Sequence, residues 1–257
     1  TERFMRRTLM PALLRRVAHN FARGNRDVRL FEIGTSFSRG GQGEPPREET
    51  HLAAVLTGRR APPHWASQDE ALTVWDLKSL LEDVATRAYR EGASVEPGGA
   101  DPARLDLSAS FTVRRAGDAV GYGGLVASGV VDAPVWAGSV WALEITLPSS
   151  VSARRPTTYQ ALPTFPAVER DLALLVPHGV TAEQVASTIR AAGGPLLEVV
   201  ELFDVYRGNI GTEVARSLAF RLRFRARERT LKDTEVDKAV QSVLRSLEEE
   251  LVVKARG

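Results

Sequence analysis

The chain contains no cysteine. That absence excludes disulfides, thiol catalysis and cysteine-based zinc sites, and it fits a reducing, cytoplasmic compartment. The four histidines, His19, His51, His64 and His178, are scattered without metal-ligand spacing, so packing or surface roles are the simpler reading and no metal site is expected. No apolar run approaches the roughly 20 residues that cross a bilayer, and no membrane partner is expected. Net charge is also nearly absent. Lys and Arg total 34 against 32 Asp and Glu, so only a local patch, not the whole surface, can be read as a polyanion site. The chain begins Thr1-Glu2-Arg3-Phe4-Met5, with neither an initiator Met nor a signal-like apolar core, and is read as a piece of a longer protein.

What is present is globular. At 257 residues and 43% hydrophobic, the chain can bury two modest cores. Thr8–Phe21 reads as a helix capped by Thr8, with Leu13, Leu14, Val17, Ala18 and Phe21 on its apolar stripe. Val28–Phe37 reads as a largely buried strand, Arg39–Thr50 as a Gly/Pro/Glu-rich excursion and His51–Thr57 as a short apolar strand. Trp75–Glu91 is a helix with Asp76 as its cap and Leu77, Leu80, Leu81, Val84, Ala85 and Ala88 facing inward. Ser94–Pro102 reads as a loop. Strands follow at Ser108–Arg114, Ala119–Val131 and Val140–Leu147, giving an α+β half with a largely antiparallel sheet. Gly40-Gly41-Gln42-Gly43 and Gly121-Tyr122-Gly123-Gly124 imitate phosphate loops but lack a Gly-Lys-Ser/Thr ending, so a turn and a tight strand are expected.

Pro148–Thr158 is the expected linker. Beyond it come a strand at Arg170–Val176, a helix from Thr181 to about Ala192 with Thr181 and Gln184 as a capping box, and strands at Leu196–Tyr206 and Ser217–Arg225. A helix at Asp233–Leu251 capped by Asp233 and a short strand within Val252–Arg256 complete the chain. That order, βαββαβ, is the ferredoxin-like split βαβ unit, in which both helices cover one sheet face and leave the other free.

One hairpin stands out. Ser217–Arg225 alternates strictly, with Leu218, Phe220, Leu222 and Phe224 on one face and Ser217, Ala219, Arg221, Arg223 and Arg225 on the other. Its partner ends with Asp204 and Tyr206, and Gly208–Thr212 between them is rich in turn formers. Cations beside an aromatic suit single-stranded nucleic acid. The competing reading is a solvated face, its arginines neutralised by Glu198, Glu201 and helix carboxylates, with Tyr206 closing the sheet edge. Strict alternation also puts Val200 and Leu202 on the Asp204–Tyr206 face, so either that face is partly apolar or a bulge shifts the register.

Pro163-Thr-Phe-Pro-Ala-Val-Glu-Arg-Asp-Leu-Ala-Leu-Leu-Val176, Leu202–Gly208, Ser217–Leu222 and Glu228-Arg-Thr-Leu231 together resemble the ferredoxin-fold anticodon-binding domain that ends bacterial phenylalanyl-tRNA synthetase β subunits. Met5–Leu14, Asn25–Gly34 and Trp75-Asp-Leu-Lys78 resemble the end of that family's catalytic-like, class II module. The resemblance implies two domains, 1–150 and 163–257. In such a family Tyr206 stacks on the first anticodon base, Asp204 accepts its hydrogen bonds, Ser217 contacts the same nucleotide, and Arg221 and Arg223 are candidates for phosphate contact. It further implies phenylalanine tRNA and a catalytic α subunit as partners in an (αβ)2 heterotetramer, with ATP and magnesium used by the holoenzyme and no cofactor in this piece. Thr35-Ser36-Phe37-Ser38 and Trp141-Ala-Leu-Glu144 stand where a class II active site carries ATP-binding arginines, so no catalytic residue is expected here. Two alternatives stay open. A ferredoxin-like regulatory or dimerisation module binding a small molecule predicts an apolar free sheet face. A stand-alone synthetase-like enzyme requires the missing arginines.

Overall fold

The computed structural model describes residues 5–41, 43–66, 68–90, 92–99, 104–150, 159, 162–206 and 214–256. It is an α+β chain of two units, Thr1–Arg154 and Arg155–Gly257, each with its own sheet. In the first unit, α1 (Met10–Phe21) precedes β1 (Val28–Ser38) and β2 (Arg47–Thr57). Then come α2 (Val74–Tyr89), β3 (Ala93–Pro97), β4 (Leu105–Arg115), β5 (Asp118–Val126) and β6 (Val140–Thr146). The strands form one antiparallel sheet in the order β1-β2-β6-β5-β4-β3. Side-chain alternation lets this sheet bury both faces. Ala53, Val55 and Ala142 meet Leu13, Leu14 and Val17 of α1, while Ala54, Leu143 and Ile145 meet Leu77 and Leu81 of α2. The glycines of β5 permit this closeness. A Cβ on Gly121 would lie 2.7 Å from Ile145 Cγ1, and one on Gly124 would lie 2.8 Å from the Ala109 carbonyl oxygen. The Gly121–Gly124 run is therefore a tight strand, as its sequence suggests.

Several local expectations are corrected. Thr8 does not cap α1. The helix begins at Met10, and the Thr8 hydroxyl donates to Glu144. Asp76 is not the first cap of α2. Thr73 is, and Asp76, three residues on, accepts from the Thr73 amide at 2.8 Å, completing a capping box. Arg60 also donates to Asp76 at 2.8 Å, and these bonds, led by that from Arg60, hold its carboxyl down at about 2. β2 starts at Arg47, so part of the expected excursion is strand, paired with Thr35–Ser38. The expected loop after α2 contains β3, which lies against β4. Most consequentially, β1 is an edge strand and is not largely buried: Phe31 is 72% exposed and Ile33 56%.

The second unit runs β7 (Val168–Pro177), α3 (Ala182–Ala192), β8 (Leu197–Tyr206), β9 (Val214–Phe224), α4 (Asp233–Leu251) and β10 (Lys254–Ala255). Its antiparallel sheet has the order β10-β7-β9-β8, the split βαβ arrangement. Thr181 and Gln184 form the expected capping box. Asp233 is not the cap of α4. Lys232 occupies that position, Glu235 accepts from its amide at 3.1 Å, and Asp233 instead pairs with Arg170 at 2.9 Å. Leu218, Phe220, Leu222 and Phe224 of β9 are buried against Val185 and Ile189 of α3 and Val236, Val243 and Leu247 of α4. Both helices thus cover one sheet face. The turn expected at Gly208–Thr212 lies outside the described residues.

Candidate nucleic-acid interface

The open face of the second sheet is set by register. Residues directly opposite in an antiparallel pair share a face. Val200 pairs with Leu222 and Leu202 with Phe220, so both point toward the helices. A bulge follows between Leu202 and Asp204. Beyond it Asp204 pairs with Ala219 and Tyr206 with Ser217, which moves both onto the open face. The choice left open in the sequence is thereby made. Val200 and Leu202 on one side, and Asp204 and Tyr206 on the other, lie on opposite faces because Phe203 is the inserted residue; Val205, opposite Leu218, is on the helix side.

Across β9, Ser217 also faces Leu175 of β7, and Ala219 faces Ala173. These side chains form a low floor. Ser217 is buried, and Ala173 is open to solvent. Tyr206, 52% exposed, stands at one margin beside Asp204. From the opposite edge comes Arg256. Its amide donates to the Ala173 carbonyl at 2.7 Å, and its guanidinium carbon lies 5.9 Å from the centre of the Tyr206 ring. Since β10 and β8 are the two outer strands, this arginine reaches across the open face. The result is a shallow recess walled by an aromatic, a carboxylate and a cation.

Further along the face, the arginines are not free cations. Arg221 donates through Nε and Nη2 to both oxygens of Asp171 at 2.9 and 2.8 Å, and its guanidinium lies 5.0 Å from the centre of the Phe203 ring. That bond to Asp171 raises the Arg221 pKa, and the reverse contact lowers that of Asp171. Arg223 donates to Glu169 at 3.0 Å and Arg225 to Glu198 at 3.0 Å. The face read as cationic from β9 alone is therefore close to neutral here. β7 sets carboxylates opposite Arg221 and Arg223, and helix carboxylates play no part in those pairs. Phe203 and Arg256 were not legible as site residues. Alternation assigns Phe203 to the wrong face when the bulge is unknown, and no local pattern marks Arg256.

A second polar cluster lies in the first unit, around a cavity of about 170 Å³. Glu144, 2% exposed, accepts from the Leu9 amide at 3.1 Å, His51 Nδ1 at 2.7 Å, the Tyr122 hydroxyl at 3.1 Å and the Thr8 hydroxyl. Burial pushes its pKa up, but His51, Thr8 and the Leu9 amide outweigh this and leave it below the ordinary carboxylate value. The same carboxylate raises the pKa of His51. Glu144 joins α1 to β2, β5 and β6. A buried anion at this point opposes a triphosphate rather than attracting one.

Fold and site together define a class: a ferredoxin-type domain whose free sheet face carries an aromatic and a carboxylate, in one chain with a larger antiparallel α+β unit. The family model described as the ferredoxin-fold anticodon binding domain matches residues 163–256. That described as the phenylalanyl tRNA synthetase beta chain CLM domain matches residues 2–147, more than half of the chain. The chain belongs to the phenylalanyl-tRNA synthetase beta chain family. Among its relatives, the phenylalanine–tRNA ligase beta subunit of Moorella thermoacetica is 34% identical over 98% of this chain. The subunits of that name from Staphylococcus saprophyticus and Pseudomonas savastanoi are 33% and 35% identical, each over 96% of it. The chain spans only 30–31% of the length of these relatives.

Proposed function

We propose that this chain is the tRNA-binding and scaffolding part of a phenylalanine–tRNA ligase β subunit, and that the open face of its second unit recognises the anticodon of phenylalanine tRNA. The observation that supports this best is the bulge at Phe203, which turns Asp204 and Tyr206 together onto the face without helices. Tyr206 offers a ring on which a base can stack. Asp204, an acceptor only when ionised, suits a base edge with paired donors, such as the N1–H and exocyclic amine of guanine. Ser217 lies beneath Tyr206 and contributes a hydroxyl to the floor. Arg221 and Arg223, held by Asp171 and Glu169, shape the neighbouring surface, and any phosphate they contact competes with those carboxylates. Arg256 joins the site as the cation nearest Tyr206.

In this reading the first unit packs against a catalytic α subunit in an (αβ)2 assembly in the cytoplasm. The ATP- and magnesium-dependent joining of phenylalanine to tRNA takes place on that partner, and this chain holds the RNA. Phe31 and Ile33 on the exposed edge strand supply apolar area for such a contact. A small-molecule regulatory module is less well supported, because the open face carries Glu169, Asp171, Arg221 and Arg223 where that role calls for apolar side chains.

The test is binding of phenylalanine tRNA to the full chain, with titration of salt. Tyr206→Ala is expected to weaken binding by about 1–3 kcal/mol, the range for loss of one base–aromatic stack. Asp204→Asn is expected to weaken it and to relax discrimination at the first anticodon position. Wild-type affinity in both variants overturns the assignment.

A further inference from the structure

The described residues from Met5 to Arg26 include six arginines and no acidic residue, in a chain whose net charge is only +2. Arg6 is taken by Glu32 at 2.5 Å. Arg7, Arg15, Arg16, Arg23 and Arg26 are exposed. On α1, Arg15 and His19, four apart, share one outward face with Arg16 and Asn20 beside them, and Arg23, just past the helix end, donates to His19 Nδ1 at 2.9 Å. That face carries no exposed large apolar side chain, whereas the core of a protein–protein interface is depleted in charge.

At the end of the helix Gly24 adopts φ +79°, and the chain turns into an open cleft of about 470 Å³. The cleft is lined by Asn20, Asn25, Arg26, Asp27, Arg29 and Arg59, among others. Its one carboxylate, Asp27, is engaged by Arg59 through Nε at 3.0 Å and Nη2 at 2.5 Å. Arg29 donates to the carbonyls of Arg59 and Arg60, which leaves its charge uncompensated by that contact. Arg26 lies 5.1 Å from the centre of the Trp136 ring, and that ring meets Phe21 edge-on at 5.6 Å. Guanidinium forks and side-chain amides around an open cleft match a phosphodiester backbone.

We propose that the outward face of α1 and the cleft at its C-terminal end form a second RNA-binding surface, which grips backbone phosphates without reading base sequence. The choice of RNA among polyanions rests on the tRNA-binding reading above; the surface itself does not include the anticodon site. Loss of these contacts lowers affinity evenly across RNA sequences and reduces its salt dependence, because fewer condensed counterions are released.

The test compares the full chain with a triple variant, Arg15→Gln, Arg16→Gln and Arg26→Gln, for binding of phenylalanine tRNA over a range of salt. All three side chains are exposed, so the thermal midpoint is expected to stay close to wild type, the Arg26–Trp136 contact being the one loss seen in the fold. Affinity at low salt is expected to fall about tenfold, and the slope of log K against log salt to shrink by about one for each phosphate contact removed. The same positions changed to Lys should restore the slope. Unchanged affinity and slope overturn the proposal. So does loss of co-purification with the partner subunit at unchanged RNA affinity, which makes the face a protein interface. Inorganic pyrophosphate is a separate arm: if the triple variant loses pyrophosphate binding while keeping its tRNA affinity, the cleft is a small-anion site and not an RNA surface. Tyr206→Ala in the same assay separates the two readings. If it is silent while the triple variant loses affinity, the anticodon assignment falls and this surface stands.

Discussion

Glu144 draws more of the first unit's polar interior together than any other described side chain, and it does so as a buried anion. Its donors come from the Thr8–Leu9 segment leading into α1, from β2 and from β5, so removing it leaves several buried donors without an acceptor. Glu144→Ala is expected to destabilise the unit by about 3–5 kcal/mol, the range for breaking a buried charge pair, read as a lowered urea midpoint. The pH dependence follows from the two pKa directions. His51 is raised above 6.5, so its contribution is complete below 6.5 and is lost as pH rises through the raised value. Glu144 is lowered below 4.5, so its contribution is complete above 4.5 and is lost as pH falls through the lowered value. The pair therefore stabilises most between those limits. A series of urea midpoints should decline on the alkaline side for wild type and stay flatter for His51→Gln; equal declines would show that another group titrates there.

The bulge in β8 is the element on which the proposed anticodon site depends. One inserted residue changes which face every later side chain of a strand occupies. Deleting Phe203 makes Leu202 and Asp204 consecutive, so pairing becomes continuous with Asp204 still opposite Ala219 and Tyr206 still opposite Ser217, both on the open face. The expected result is a protein with wild-type circular dichroism that keeps tRNA binding, and loses it when Tyr206→Ala is added. Binding lost in the deletion alone would show that Phe203 itself, not only the face it sets, belongs to the site. The arginines of β9 illustrate the same dependence on neighbours. Their alternation was legible in the sequence, but their charge was answered by Asp171 and Glu169, some 50 residues earlier in the chain.

For the molecule as a whole, the exposed edge of the first sheet matters most. Unpaired edge strands invite association, and Phe31 and Ile33 add apolar area to one. In the proposed assembly such a surface suits a partner subunit. Replacing Phe31 and Ile33 by Glu should leave the thermal midpoint close to wild type, since both side chains are already largely in solvent. If the proposed assembly holds, it should abolish co-purification with an α subunit. Co-purification at wild-type yield would place the interface elsewhere.

The sequence by itself determined the order of elements in the second unit and several inward faces in both. The Thr181–Gln184 capping box, the Leu218–Phe220–Leu222–Phe224 alternation and the α2 stripe are local patterns, and burial follows them because a helix or strand has a fixed periodicity. Tyr206 and Asp204 were legible as a pair for the same reason. Only the tertiary structure decided that β1 is an edge, that Phe203 is a bulge, that Arg221 and Arg223 are neutralised from β7, and that Arg256 reaches Tyr206. Each of these depends on which strand lies beside which, and in what register. Such pairings join residues far apart in the chain, where local periodicity carries no information.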